Sequence, residues 1–317
     1  MTRWVVLVGI VAVAFAAAVV LGPTHLAVTD LWGSEIVRTL RLPRALLALL
    51  VGGSLGVAGA SLQALVRNPL ADPYLLGISG GAGLGAVLAI ALQVGSGPWV
   101  LPLVAFAGAL GAMGLVYRLS LVAGGQLDAR VLLLAGVAVG AFAAAVSTAI
   151  VSLAEAAQLR NAFLWLWGGL SGASWDAVLV TLAYLPIPLI VLYAAARPLD
   201  LLALGEEPAT HLGADVEPLK RRVYVAASLL TAAAVAVTGV IGFVGLIVPH
   251  ITRLVWGHRH RVLLPAAFVG GGALLLAADT VARVIVAPRE LPVGVVTALV
   301  GVPLFALLLR RWMGASS

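Results

Sequence analysis

The chain has 317 residues, of which 62% are hydrophobic and 10% charged, where an average soluble domain is about 45–50% apolar and about 25% charged. With a mean hydropathy of +1.12 this excludes a soluble globular domain and identifies a membrane protein. The absence of cysteine excludes disulfides, thiolate metal sites and cysteine nucleophiles, five histidines show no metal-ligand spacing, and the net charge of +6 is scattered rather than gathered into a nucleic-acid-binding tract.

In chain order, Met1-Thr2-Arg3 precedes an apolar run through Leu21. A signal peptide with Ala16-Ala17-Ala18 near its cleavage site is one reading. At about 19 residues, however, the run exceeds the usual signal core and is long enough to span a bilayer, so a retained first helix is expected. Apolar runs bounded by glycine, proline and charge predict ten spans near 4–22, 42–66, 74–93, 99–118, 131–154, 175–196, 219–240, 243–257, 262–286 and 293–310, the eighth being short. With both termini cytoplasmic, 13 of the 19 basic residues fall on the cytoplasmic side, as the positive-inside rule requires. Glycines four apart, Gly52/Gly56, Gly81/Gly85 and Gly136/Gly140, form small faces for close helix packing.

Arg67-Asn68-Pro69-Leu70-Ala71-Asp72-Pro73 carries two prolines through which neither flanking helix can continue. It is either a short cytoplasmic turn or a gate segment at the inner mouth of a pathway, with Asn68 satisfying the broken backbone or closing the pore. The longest polar insertion, 197–218, contains Leu202, Ala203, Leu204, Gly205, Glu206, Glu207, Pro208, Ala209, Thr210, His211, Leu212 and Gly213. Gly205 and Gly213 can each stop a short helix and Pro208 can start one, which gives two short helices near 199–215 suited to docking a soluble partner. The run 239–250, rich in glycine and ending in Pro249-His250, predicts a tight outer turn between spans seven and eight.

Asp279 and Arg283 stand four apart on span nine. Counting from Leu263 at 1.5 Å per residue puts Arg283 about 30 Å along the helix, at the outer surface, with Asp279 about one turn below. Arg41 and Arg44 begin span two on the same face. Three arginines there suit an acidic partner, an anionic substrate or lipid phosphates, and composition does not separate these.

The runs RLPR (41–44), QALVRNPLADPYLLGISGGAG (63–83), LLLAGVAVG (132–140), ALGEEPATHLG (203–213), IGFVGLIVPHITR (241–253) and ADTVARVIVAPRELPVGVVTALVGVPLF (278–305) together resemble the FecCD-type permeases of ABC importers. That family includes vitamin B12, haem and iron-siderophore permeases. The resemblance implies an all-α, polytopic, BtuC-like permease fold of about ten transmembrane helices, with 1–317 as one permease domain in a bacterial inner membrane. It implies a homodimer or close heterodimer with a path along its axis, two ABC ATPase subunits on the cytoplasmic side and an extracytoplasmic substrate-binding protein opposite. By the same resemblance Asn68 and Leu70 match inner-gate positions, 202–213 the ATPase-coupling helices, and Arg41, Arg44 and Arg283 the arginines that meet acidic residues of the binding protein. WGGLSGASW (167–175) departs from the Trp-Gly-Ser-Leu pattern of many relatives.

No catalytic residue and no cofactor of its own are expected. A P-loop needs Gly-Lys-Ser/Thr, whereas the single lysine, Lys220, lies between Leu219 and Arg221, so ATP and Mg2+ belong to a partner ATPase. The expected function is ATP-driven alternating-access import of a large metal chelate, an iron-siderophore, haem or cobalamin. The alternative is an ion-coupled secondary transporter with Asp279 as its coupling carboxylate.

Overall fold

The computed structural model describes residues 2–24, 33–95, 97–121 and 125–314, with side chains described to 307. Helix α1 (Thr2–Val20) is followed by a five-residue π turn, Val37–Arg41, that runs directly into α2 (Leu42–Leu65), which has Pro43 in its first turn where no intrahelical N–H is needed. Then come α3 (Ile78–Ala91), α4 (Val100–Leu119), α5 (Ala129–Ser152) and α6 (Ala156–Leu166). Next, α7 (Trp175–Tyr184) and α8 (Pro186–Ala194) form one span interrupted where Pro186 withholds its N–H. The short helices α9 (Ala196–Leu202) and α10 (Glu206–His211) precede α11 (Val216–Thr238), α12 (Val244–Trp256), α13 (His260–Val284) and α14 (Val293–Gly314).

Seven of these spans are long and apolar enough to cross a membrane, and α3, α12 and the first part of α14 are shorter apolar helices. Together they correspond to the ten expected spans. Helix α6 lies between the fifth and sixth of them and was not expected; its N-terminus is marked by Gln158, whose side chain accepts from the Glu155 N–H.

Helix α2 is the axis of the fold. It packs against α11, α12 and α13, and nearly every side chain from Leu47 to Leu65 is buried. By contrast α1 rests on α13 and presents most of its surface outward, as a lipid-facing helix does. The close crossing of α2 and α13 follows from the paired glycines. A Cβ on Gly52 would overlap the Gly271 carbonyl and stand 2.8 Å from the Leu275 Cβ. Small faces of this kind let two backbones approach where bulk would part them. The same device sets α3 against α4, where Gly81 meets Gly108.

Two expectations on spans change. The third helix begins at Ile78 rather than near 74, because Pro73–Leu76 form one 3-10 turn and Gly77 takes a left-handed φ of 73°. The segment 239–243 is not a tight outer turn. It is non-helical, opened by Gly239 at φ 70° and closed by Phe243 at φ 69°, and it lies packed inside the bundle.

Replacing Gly271 by leucine should force α2 from α13 and lower the thermal stability of the detergent-solubilised chain by about 1–3 kcal/mol or more. Gly111→Leu, where an added Cβ meets nothing within 4 Å, should leave the melting temperature in place. Equal melting shifts for the two variants would show that the glycine crossing does not set the packing.

Candidate functional site

Three groups of residues stand out, one at each end of α2 and one around a cavity between α3, α5 and α6. The connector 66–77 leaves the Leu65 end of α2 through Arg67, which adopts a left-handed φ of 51°. The Asn68 side chain accepts from the Leu70 N–H at 2.9 Å and the Asn68 backbone N–H donates to the Gln63 carbonyl at 3.0 Å, so Asn68 satisfies the broken backbone. Asn68 and Leu70, on either side of the exposed Pro69, are both half-buried. The connector then climbs back into the bundle. Gly77 lies beside Gly136, seven residues or about 10 Å along α5 from its first residue.

Within the bundle the connector meets the segment 239–243. The Tyr74 hydroxyl accepts from the Ile241 N–H at 2.8 Å, and Gln63 Nε2 donates to the carbonyls of Ala71 at 3.1 Å and Gly245 at 3.2 Å. Asp72 caps the 3-10 turn by accepting from the Tyr74 N–H at 2.9 Å. Nothing in residue spacing predicted that Tyr74 would hold 239–243 or that Gln63 would tie the connector to the first turn of α12; their mark in the sequence is a polar residue on either side of the NPLADP break.

Helices α9 and α10 occupy the same end of the bundle as the connector. Asp200 on α9 accepts from the His260 backbone N–H at 2.9 Å and meets its ring Nδ1 at 2.6 Å, which ties α9 to the start of α13. Leu202 and Ala209 are fully buried and anchor the pair. Gly205 at φ 127° and Gly213 at φ 86° end the two turns, as their positions in the sequence suggested. Ala203, Leu204, Glu207, Pro208, Thr210, His211, Leu212 and Gly213 face outward, and Leu204 and Leu212 are 64% and 60% exposed. Glu206 turns inward, 3.0 Å from Lys220 on α11 and 3.9 Å from Arg67. Beside this cluster, Asp128 caps α5. Hydrogen bonds from the Val131 and Arg130 N–H groups hold its carboxyl below the usual carboxylate range.

The opposite end of α2 carries the arginines. All three are engaged within the chain rather than open at the surface. Arg41, 4% exposed, donates to the carbonyls of Val19 at 2.9 Å, Val20 at 2.6 Å and Thr24 at 2.6 Å. Arg283, 3% exposed, donates to Ala18 at 3.0 Å and Leu21 at 3.2 Å. Together they satisfy the orphan carbonyls at the C-terminal end of α1, where the helix dipole also favours a cation. Arg44 grips both oxygens of Asp279 at 2.9–3.1 Å and reaches Glu290 at 2.9 Å, while Arg283 Nε stands 3.1 Å from Asp279 Oδ2. With both oxygens held by guanidiniums, Asp279 is fixed as a structural anion, which gives an ion-coupled role no support.

A cavity of about 360 Å3 opens between α3, α5 and α6. Ser79, Gly83, Ser147, Thr148 and Val240 are among its lining residues. Among the described residues no group of three histidines and acids forms a metal site.

Asp279→Asn would leave two buried guanidiniums without their shared carboxylate, an uncompensated loss of about 3–5 kcal/mol. Its melting temperature in detergent should fall well below that of Glu290→Gln, whose carboxylate is 32% exposed and contributes about 0–1 kcal/mol. Similar melting temperatures would remove Asp279 as the centre of the network.

Known proteins share this architecture. The model of the FecCD transport family matches residues 8–311. The cobalamin import system permease protein BtuC of Halobacterium salinarum is 48% identical over 275 residues, covering 87% of this chain and 73% of that protein. The hemin transport system permease protein HmuU of Yersinia pestis is 44% identical over 303 residues, covering 92% and 90%. A solved inward-facing structure assigned to the metal-chelate type of ABC transporter superposes with a TM-score of 0.86 at 29% identity, covering 96% of this chain and 97% of that one. Matched from its first helix into its last, the chain belongs to the FecCD transport family and is a permease of the ABC importer class.

Proposed function

We propose that the chain imports a large metal chelate, of the cobalamin or haem kind named for its relatives, by ATP-driven alternating access. The observation that carries the reading is the surface made by α9 and α10: fastened inside by Leu202, Ala209 and the Asp200–His260 contact, it presents two exposed leucines among ionisable groups. Leu202 to Gly213 would couple there to an ABC ATPase, on which ATP and Mg2+ act. This orientation makes both termini cytoplasmic in a bacterial inner membrane. Asn68 and Leu70, at the mouth of the climbing connector, would form the cytoplasmic gate.

Two copies of the chain would enclose the path, with the small and hydroxyl-bearing lining of the 360 Å3 cavity facing it. A wide path with few ionisable groups suits a bulky chelate whose metal is already satisfied, and leaves selection to an extracytoplasmic binding protein. An acidic residue of that protein would reach Arg44 by displacing the part-exposed Glu290, while Arg41 and Arg283 keep α1 in place.

Because the chain has no cysteine, single cysteines at Leu204 and Leu212 can be crosslinked in the native membrane without background. Both should capture an ABC ATPase identifiable by mass spectrometry, and the co-purified binding protein should retain a cobalamin, haem or siderophore. A chain that crosslinks to no ATPase from either position would overturn the reading.

A further inference from the structure

The polar node beneath α10 has no part in the reading above beyond holding that helix. Lys220 is the single lysine of the chain. Its side chain is 4% exposed, and its ammonium lies 3.0 Å from Glu206 Oε2, 3.0 Å from Glu217 Oε2 and 2.5 Å from the Leu127 carbonyl. Glu217 in turn accepts from the Leu127 N–H at 2.6 Å, so the loop entering α5 is clamped to the first turns of α11 by both partners. A buried ammonium is tolerable only with such compensation.

Glu206 has a second, different contact. Its other oxygen stands 3.9 Å from Arg67, and both side chains there are part-exposed, at 39% and 44%. A long, solvated pair of this kind is weak and easily broken. Arg67 is held in a left-handed conformation immediately before Asn68. One carboxylate therefore makes a firm link to α11 and a loose link to the residue that begins the gate connector.

We propose that Glu206 is a transmission latch: with Lys220 as the positioning residue that keeps its carboxylate aimed, it holds Arg67 and the 67–70 segment in one position and releases them when α10 is displaced. The proposal rests on the reading of α10 as a coupling helix. Displacement of α10 parts Glu206 from Arg67 first, because that contact is the weaker, while the Lys220 link carries the movement into α11 and the loop before α5. The inner gate and the two helices flanking it then move in a fixed order.

The test uses the complete transporter, chain with its ATPase and binding protein, in proteoliposomes, reading molecules of ATP hydrolysed per molecule of cargo imported. Arg67→Gln, at an exposed position, should raise this ratio roughly fivefold, a shift of about 1 kcal/mol in the gate equilibrium. Arg67→Lys should restore it. A chain carrying Arg67→Cys and Glu206→Cys, bridged by a short reducible bis-thiosulfonate linker, should stop importing and resume on reduction. An unchanged ratio in Arg67→Gln, or import that continues with the two positions bridged, overturns the latch while the wild-type transporter shows the coupling reading intact. A wild-type chain that captures no ATPase overturns both.

Discussion

Every carbonyl and N–H released by a broken helix in an apolar bundle must find a partner inside the protein, and the arrangement of this chain follows from how it meets that demand. Two breaks face the problem, at 66–77 and 239–243, and side chains beside them meet it. Tyr74 accepts the Ile241 N–H, while Gln63 on α2 donates to Ala71 of the connector and to Gly245 in the first turn of α12, whose carbonyl Pro249 leaves without an intrahelical donor. An unmet group at either place would cost about 1–3 kcal/mol. The meeting of the breaks is therefore the low-energy solution, and it draws the connector about 10 Å up along α5 instead of leaving it as a turn at the membrane face.

The same logic explains the charges. Ionisable groups are few, and the two largest buried sets are compensated, one at each end of α2. At one end guanidiniums end a helix and share Asp279; at the other a single ammonium gathers two carboxylates and a carbonyl. Conformational change in such a molecule has to proceed through contacts that water already reaches, because the buried sets are too costly to open. Glu290 and Arg67 are contacts of that kind.

Much of this was legible in the residues. Ten apolar runs gave the spans to within a few positions, the glycine pairs gave the tight crossings, and Gly205 and Gly213 gave the bounds of two short helices. The family was legible because six motifs recur in order. What stayed hidden depends on contacts far apart in sequence. Arg41 and Arg283 look like surface cations when counted along their own helices, and only the placement of the α1 end turns them inward. The run 239–243 looks like a tight turn because glycine permits one; the Tyr74 hydroxyl, 167 residues away, makes it a buried strut. Lys220 and Glu206, 14 apart across two turns, could not be paired by helical spacing. Helix α6 was masked by its mixed composition between longer apolar neighbours.

These features also limit how the molecule can move. Helix α2 meets α13 backbone to backbone at Gly52 and Gly271, and bending it there would drive carbonyls into carbonyls. Close-packed interfaces of this sort shift between discrete arrangements rather than deform smoothly. The pair must therefore travel as a rigid body, with the arginine network carried at one end and Gln63 at the other. Compliance is left to the segments that are not helical. Of these, 66–77 is bonded to the core at Gln63 and Tyr74 but exposed at Arg67 and Pro69, so its outer half can swing while its inner half stays fixed. A swing of that outer half would free only backbone groups next to the exposed Arg67 and Pro69, where water rather than the bilayer can meet them.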